Sequence, residues 1–349
     1  MWKWLGLGVL LVTSACSEEK AAGVPQRDAA VAPVDAPVAA ADAPAPDAAR
    51  MPDARPADAR PPIPPDGPPP PACMGCVEQK LVVSQLIAPT TPQESMMIGC
   101  HFEGGDPGVN NALGNILSFL GTQGSFMPNQ ALASAIEGGN ILMLFKVAAP
   151  SLAMAGENMA RLDVKLGTKP TPWDAMVAFS GMGMFGIDPA WAGSTLGGMI
   201  GTGGATTFGP GHVRLPIQLG GGIPQLNLDL VEAHVSGTLS MSGLMSGQIC
   251  GLVPQMTLED EIAPKLATLI NNAIRGGGNT AGQVCQLFDM DGSCGMDCVN
   301  NPPQTDCISG RELLDNALIG NLFRPDVTLA DGSKGLSMGV RFTAVGAVF

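Results

Sequence analysis

Tyrosine is absent from this chain of 349 residues, and aromatic residues of all kinds make up only 4% of it. Basic residues are also few, because 18 lysines and arginines stand against 31 aspartates and glutamates and leave a formal net charge of −13. A protein that binds the phosphate backbone of nucleic acid needs clustered Lys and Arg, so that class is excluded. Apolar runs of about 18 residues or more are missing too, which excludes a polytopic helical membrane protein.

The N-terminus carries the three parts of a secretory signal peptide. Lys3 lies in a short basic start, residues 5–12 are apolar, and three small residues precede Cys16. Because the apolar run is too short to span a bilayer core of about 30 Å, we expect residues 1–15 to be removed rather than kept as an anchor.

The residues around the cleavage point resemble the lipobox of bacterial lipoproteins. Ser14 and Ala15 stand directly before Cys16, although Thr13 replaces the Leu that is usual in that family. The resemblance implies a lipid on Cys16, contact with a membrane through that lipid only and, since Ser17 rather than Asp follows the cysteine, sorting to the outer membrane. The alternative is ordinary cleavage near Ala15, which would leave Cys16 as a free thiol.

The segment after Cys16 has the composition of a disordered tether. Residues 17–72 hold 15 prolines and 17 alanines in 56 positions. Proline fixes φ and removes a backbone donor, so residues 16–72 are expected to sample extended conformations that reach up to about 170 Å at about 3.1 Å per residue.

Eight of the nine cysteines remain once Cys16 is assigned to the lipid. An exported chain in an oxidising compartment is expected to pair them in as many as four disulfides. We predict one bridge between Cys73 and Cys76 at the entrance of the folded domain. A redox motif at residues 73–76 and a zinc site built from the four cysteines of residues 285–307 are the alternatives.

Residues 73–349 are predicted to form an acidic globular domain that is mainly β. Strands are expected at residues 80–88, 140–149, 213–219, 226–241 and 336–349, where apolar residues alternate or run unbroken between Gly and Pro. Helices are expected at residues 111–120, 128–136, 258–274 (with Thr257 as N-cap) and 313–322. The fold class is therefore α+β with β dominant: an antiparallel β-sandwich or partly closed barrel with a few helices, braced by disulfides.

One segment, residues 279–323, resembles an EF-hand calcium loop interrupted by an insertion. Without residues 294–305, the oxygen ligands fall at loop positions 1, 3, 5, 6, 7, 9 and 12, which are Asp289, Asp291, Ser293, Asp306, the Cys307 carbonyl, Ser309 and Glu312. A calcium ion needs six to eight oxygen ligands at about 2.3–2.6 Å. The resemblance therefore implies one structural Ca²⁺ site.

The inserted residues 294–305 would separate the two halves of this loop unless a cross-link held them together. A disulfide between Cys294 and Cys307 would bring its two sides to about 5.5 Å between Cα atoms, so we predict that bridge as well. Asp306 departs from the family by standing where an EF-hand has Gly. The alternative is an acidic, disulfide-rich loop before a helix, with Ser309 as N-cap and Glu312 completing a capping box.

The order of features resembles uncharacterised exported bacterial lipoproteins, from the lipid-type cysteine and tether to the helix start at residues 110–114, the EF-like loop and the closing strand. No activity is implied by that resemblance. The sequence contains no recognisable catalytic motif. The chain has only three histidines, His101, His212 and His234, and we expect each to be structural or exposed. No catalytic residue is predicted.

The sequence thus favours a non-enzymatic, lipid-anchored protein of the cell envelope that acts in adhesion, ligand capture or envelope architecture. A first alternative is a binding module for an apolar ligand, because the chain has 19 methionines and Met lines adaptable pockets. Methionine filling the core is the simpler explanation. A second alternative is a hydrolase with an unrecognised pair of carboxylates.

Overall fold

The computed structural model describes residues 75–103, 105, 111–122, 127–152, 157–191, 193–218, 225–275, 308–316 and 320–349. The predicted signal peptide, the lipidation site Cys16 and the tether lie outside these residues. So does most of the predicted calcium loop.

The described strands are β1 (Val77–Ile87), β2 (Met143–Ala149), β3 (Asn158–Thr168), β4 (Gly183–Met184), β5 (Gly186–Ile187), β6 (Ser194–Ile200), β7 (Ala205–Phe208), β8 (Val213–Ile217), β9 (Leu226–Ser240), β10 (Gly243–Pro254), β11 (Val327–Thr328) and β12 (Lys334–Val348). Eight of them form an antiparallel barrel in the order β1-β2-β3-β6-β7-β9-β10-β12. The barrel closes because β1 pairs with both β2 and β12, so that Leu81 lies between Phe145 and Gly346. The prediction of a mainly β fold is confirmed, and of its two forms the structure has the barrel, fully closed.

Alternation of side chains along β12 explains what fills the barrel. Leu336, Met338, Val340, Phe342 and Ala344 are all at most 2% exposed and belong to one continuous core. The rings of Phe145 and Phe342 meet edge to face with centroids 5.2 Å apart. An interior of eight strands is just wide enough for such side chains, so this barrel is a packed core.

The helices are α1 (Pro92–Ile98), α2 (Ala112–Thr122), α3 (Pro128–Glu137), α4 (Ala175–Ala178), α5 (Gln255–Thr257), α6 (Ala263–Arg275) and α7 (Gly310–Asp315). They lie on three of the four long connections that leave the barrel strands at one end, which we call the helix-bearing end; the fourth carries β8. The opposite end, the hairpin end, has short turns at residues 201–204 and 241–242. The glycine-rich residues 201–204 form the turn between the paired strands β6 and β7.

Two helix boundaries differ from the sequence prediction. The helix expected at residue 258 begins at Gln255, and Thr257 lies inside it with no capping hydrogen bond from its side chain. A π turn, Leu258–Ile262, joins α5 to α6, and the Ala263 amide donates to the Leu258 carbonyl. Pro264 has no amide to continue the regular ladder, which explains the local widening. The helix expected at residues 313–322 ends at Asp315, because Asn316 adopts an extended conformation.

Two segments cross the outer surface of the barrel. The first follows α1 and is joined to β10 by the Cys100–Cys250 disulfide. Beside it, Gln248 Nε2 donates to the carbonyls of Ile98 and Gly99 at 2.8 and 3.0 Å. The second, residues 169–187, covers the outward side chains of β1 and β2 with Ala178 and Phe185. We call residues 99–103 the disulfide strap and residues 169–187 the α4 strap.

Candidate functional site

Only two of the predicted calcium ligands, Ser309 and Glu312, belong to the described residues. They form the capping box that the sequence raised as the alternative: Ser309 Oγ accepts from the Glu312 amide at 3.2 Å, and the Glu312 carboxylate accepts from the Ser309 amide. Asp289, Asp291, Ser293, Asp306 and Cys307 lie outside the described residues, as does Cys294. The calcium site and the Cys294–Cys307 bridge therefore stay predictions.

A buried amide fixes the start of this capped helix. Asn271 of α6 donates from Nδ2 to the Ile308 carbonyl at 2.8 Å and accepts from the Ile308 amide at 3.1 Å. Gly310 lies so close to α6 that an added Cβ would be 2.7 Å from the nitrogen of Pro264. The segment that follows the predicted loop is thus held in one position on α6.

A groove lies at the helix-bearing end of the barrel. Its volume is about 420 Å³, which falls within the range of about 300–1,000 Å³ typical of small-molecule sites. Its walls are α5 and the π turn on one side and the end of α7 with the following turn on the other. The lining residues are Gln255, Leu258, Glu259, Leu314, Asp315, Asn316, Gly320, Asn321, Phe323, Arg324 and Pro325.

The polar residues of the groove determine what it can bind. Gln255 donates to Glu259 at 2.6 Å, and Asp315 forms an exposed ion pair with Arg311 at 3.3 Å. Arg324 contributes a cation in the same wall. Sequence reasoning missed this groove, because its two walls are about 60 residues apart in the chain and carry no motif.

A second cavity at the helix-bearing end is much smaller. A cavity of about 10 Å³ lies between α2, the strands β8 and β9, and the start of α6. That volume is no larger than a single water needs. Its walls are entirely apolar, formed by Leu113, Leu117, Ile217, Leu226, Leu228, Ile262 and Leu266. This part of the barrel cannot hold a ligand without repacking.

Methionine lies mostly on the surface, contrary to the expectation that it fills the core. Met143 and Met338 are buried. The exposed methionines are Met96, Met97, Met127, Met159, Met176, Met182, Met184, Met199, Met241, Met245 and Met256. The sequence alone gives no way to assign a face to each methionine.

A cluster of charged residues covers the outer face of β2 and β3. Arg161 binds both carboxylate oxygens of Asp163 at 2.8 Å, Lys146 lies 3.2 Å from it, and Thr195 donates to it at 2.9 Å. Burial raises the pKa of Asp163, but the hydrogen bonds from Arg161, Thr195 and Lys146 outweigh it and hold the pKa below its usual value. Asp163 therefore stays ionised and acts as a structural anion.

The histidines show no catalytic grouping within the described residues. His234 is half-buried on β9, and burial lowers its pKa while the nearby Glu232 charge opposes that shift. His101 is an exposed residue of the disulfide strap, and His212 lies just before β8. Within the described residues, no group of three or more neighbouring His, Cys, Asp or Glu side chains could hold a metal ion.

The three cysteines among the described residues are all in disulfides. Cys100 and Cys250 pair across 150 residues of sequence. Cys76 is disulfide-bonded as well, and its partner is outside the described residues, so the pairing with Cys73 stays a prediction. No helix in the part of the chain that the structure describes has the length and apolarity needed to cross a membrane.

The fold and its surfaces define a closed antiparallel barrel with a packed interior and helices grouped at one end. Comparison of the chain with protein-family models, with curated proteins and with solved structures finds no match. The function must therefore be argued from the residues themselves.

Proposed function

We propose that this protein is a non-enzymatic component of the cell envelope, anchored in the outer membrane by a lipid on Cys16. The observation that carries the proposal is the Cys100–Cys250 disulfide, in a domain that follows the predicted signal peptide. Disulfides between distant parts of a chain persist in oxidising compartments and are rare in the cytosol.

Intact mass and peptide mapping of protein from the native envelope test the anchor. We expect a lipidated Cys16 as the first residue and no free thiol at Cys100 or Cys250. The variant Cys16→Ser is the matched control, because it should leave the disulfide in place and release the protein from the membrane. An unmodified start methionine together with reduced cysteines would overturn the proposal.

Among adhesion, ligand capture and envelope architecture, the groove at the helix-bearing end favours ligand capture. Its size suits a small molecule, and Arg324 provides a cation in its walls. A guanidinium binds planar carboxylates through paired hydrogen bonds. We therefore propose small carboxylates as the ligand class.

NMR titration with acetate, succinate and citrate tests this assignment. The variant Arg324→Gln should abolish binding, whereas Arg341→Gln should preserve it, because Arg341 is an exposed arginine of β12 that does not line the groove. Absence of binding by all three carboxylates would favour adhesion or architecture instead.

A structural Ca²⁺ ion at the interrupted loop remains part of the proposal. Calorimetry on the oxidised chain should detect calcium binding, and Asp289→Asn with Asp291→Asn should remove it. Ser309→Ala separates the two roles of that residue: as a cap alone it contributes about 1 kcal/mol, and that loss would be the same with and without calcium. Unchanged melting in chelator, with no calcium heat, would exclude the site.

The two alternative functions receive less support. An enclosed apolar ligand has no room in the cavity of about 10 Å³ between α2 and α6. A hydrolase needs paired carboxylates, one with a raised pKa. The buried carboxylates among the described residues, Asp163 and Asp326, belong to different networks, and the pKa of Asp163 is lowered.

A further inference from the structure

The exposed methionines include a group on the α4 strap that differs from scattered surface residues. Met182 lies in the turn directly before β4 and is 80% exposed, and Met184 lies on β4 and is 72% exposed. The residues between and after them, Gly183 and Phe185, are buried. Exposed and buried residues thus alternate from Met182 to Phe185, and both thioethers are on the solvent side of this segment.

The backbone that carries this pair is held firmly. β4 pairs with the end of β12, where Met184 lies opposite Val348, and the Phe185 amide donates to the Val348 carbonyl at 2.9 Å. On its other side, an added Cβ at Gly183 would lie 2.0 Å from the Ala178 carbonyl oxygen of α4. Only glycine fits between α4 and β12, so the two methionines are displayed at a fixed spacing.

That spacing suits chelation of one ion. Two residues of extended chain span at most about 7 Å, which limits the distance between the Cα atoms of Met182 and Met184. Each methionine side chain is unbranched and has three rotatable bonds. Both sulfur atoms can therefore turn towards a common point above the strand.

Neighbouring elements bring further thioethers to the same surface. Met176 lies on α4, which packs against β4, and the carboxylate of Asp174 caps that helix by accepting from the Met176 amide at 2.9 Å. Met241 lies in the hairpin next to Ser242, whose carbonyl accepts from Gly346. Gly346 also packs against Gly181, which is the residue directly before Met182.

The choice of methionine over other apolar residues is the second observation. Of the large apolar side chains exposed in the described residues, eleven are Met and the other four are Val or Ile, whereas the core is built mainly from Leu, Ile, Val and Phe. A surface that needed only apolar area would accept Leu equally well. The sulfur atom is what methionine adds, and thioethers are soft ligands that select Cu(I).

We propose that Met182 and Met184, with Met176 and Met241 as the flanking ligands, form a surface site for monovalent copper. Binding is simple coordination of Cu(I) by thioether sulfur, with no change of oxidation state. The negative charge of Asp174 next to Met176 adds favourable electrostatics for a cation. This proposal concerns a different surface from the groove and does not depend on the lipid anchor.

Competition for Cu(I) against a chromophoric chelator, bathocuproine disulfonate, under anaerobic conditions tests the site. The full chain carrying Cys16→Ser is used, after a thiol assay has verified that the eight remaining cysteines are oxidised, since free thiolates would bind Cu(I) themselves. We expect the protein to withdraw one equivalent of Cu(I) at the methionine pair.

The decisive variant is Met182→Leu with Met184→Leu, which keeps the apolar surface and removes the sulfur. It should weaken Cu(I) binding by more than about tenfold. Loss of a residue that only supports a metal ligand typically costs about 10–100-fold in metal affinity, so loss of two ligands should cost at least the lower end of that range. The matched control is Met96→Leu with Met97→Leu, two exposed methionines at consecutive positions of α1. Consecutive side chains of a helix do not face each other, so this control should leave the affinity unchanged.

A second measurement locates the ion. Methyl resonances of ¹³C-labelled methionine should shift at Met182, Met184 and their flanking ligands when Ag(I), the redox-stable analogue, is added. Failure to compete with the chelator, equal affinity in the Met182→Leu/Met184→Leu variant, or shifts confined to other methionines would each overturn the proposal.

Discussion

The two faces of the barrel wall use different apolar residues. Along β12, the inward-facing side chains of Leu336, Val340 and Phe342 are at most 2% exposed. The ring of Phe342 packs against Phe145. On the outer surface the exposed apolar residues are mostly methionines, such as Met159 and Met199, which lie opposite each other on β3 and β6. One face is packed for shape, and the other displays flexible, polarisable side chains.

The difference follows from what each residue type does when packed. Branched and aromatic side chains have few rotamers and fill a close-packed interior at fixed positions. Methionine is unbranched and adapts to irregular surfaces. The inner face should therefore be intolerant of truncation, and the outer face should tolerate it except where straps, ion pairs or ligands restrain it.

The largest expected effect is on the inner face. Phe342→Ala removes a ring in contact with Phe145, and the site cannot collapse easily because Gly247 lies beneath the ring to make room for it. We expect a loss of about 3–5 kcal/mol in the free energy of unfolding, measured by chemical denaturation. A loss below about 1 kcal/mol would mean that the interior is not packed as described.

The disulfide strap gives the next largest effect, on the outer face. Replacing Cys100 and Cys250 together by Ala releases a link across 150 residues of sequence. A loss of about 2–4 kcal/mol is typical for such a bridge. Thermal unfolding of the double variant beside wild type measures it. An unchanged midpoint would show that the hydrogen bonds of Gln248 to the strap suffice without the covalent link.

Sequence periodicity predicted much of the barrel wall, because the inward residues of β8, β9 and β12 alternate with polar or small ones. It could not choose between a sandwich and a barrel. Closure depends on pairing β1 with β12, about 260 residues apart, and no local pattern encodes such a pairing.

The candidate sites were less predictable than the strands. The capping box at Ser309 and Glu312 could be read from sequence, since both residues belong to one turn. The groove and the Met182 pair could not, because they depend on which elements become neighbours. The pairing of Cys100 with Cys250 was hidden for the same reason: eight cysteines allow many connectivities.

An intermediate effect is expected at the charged cluster. Asp163→Asn removes the anion that holds Arg161 and Lys146, and we expect a loss of about 2–3 kcal/mol at neutral pH. The folded pKa of Asp163 lies below its unfolded value. Its contribution is therefore fully present above the unfolded pKa of about 4 and is lost as the pH falls through the folded pKa.

Denaturation of wild type and Asp163→Asn at a series of pH values measures this dependence. The difference between the two proteins should be constant from pH 7 to pH 5 and should shrink below about pH 4. Thr195→Val is the matched control, because it removes one hydrogen bond to Asp163 and keeps both cations. A difference that grew on acidification would contradict the direction of the pKa shift.

The smallest effect is expected for methionine on the outer face. Met241 is 96% exposed, so Met241→Ala should change the free energy of unfolding by no more than about 0.5 kcal/mol. Met338 is 1% exposed on the inner face, and Met338→Ala should cost about 2–5 kcal/mol. The same substitution on the two faces thus isolates the effect of packing. A loss above about 1 kcal/mol at Met241 would mean that a second copy of the chain covers it, and the midpoint would then rise with protein concentration.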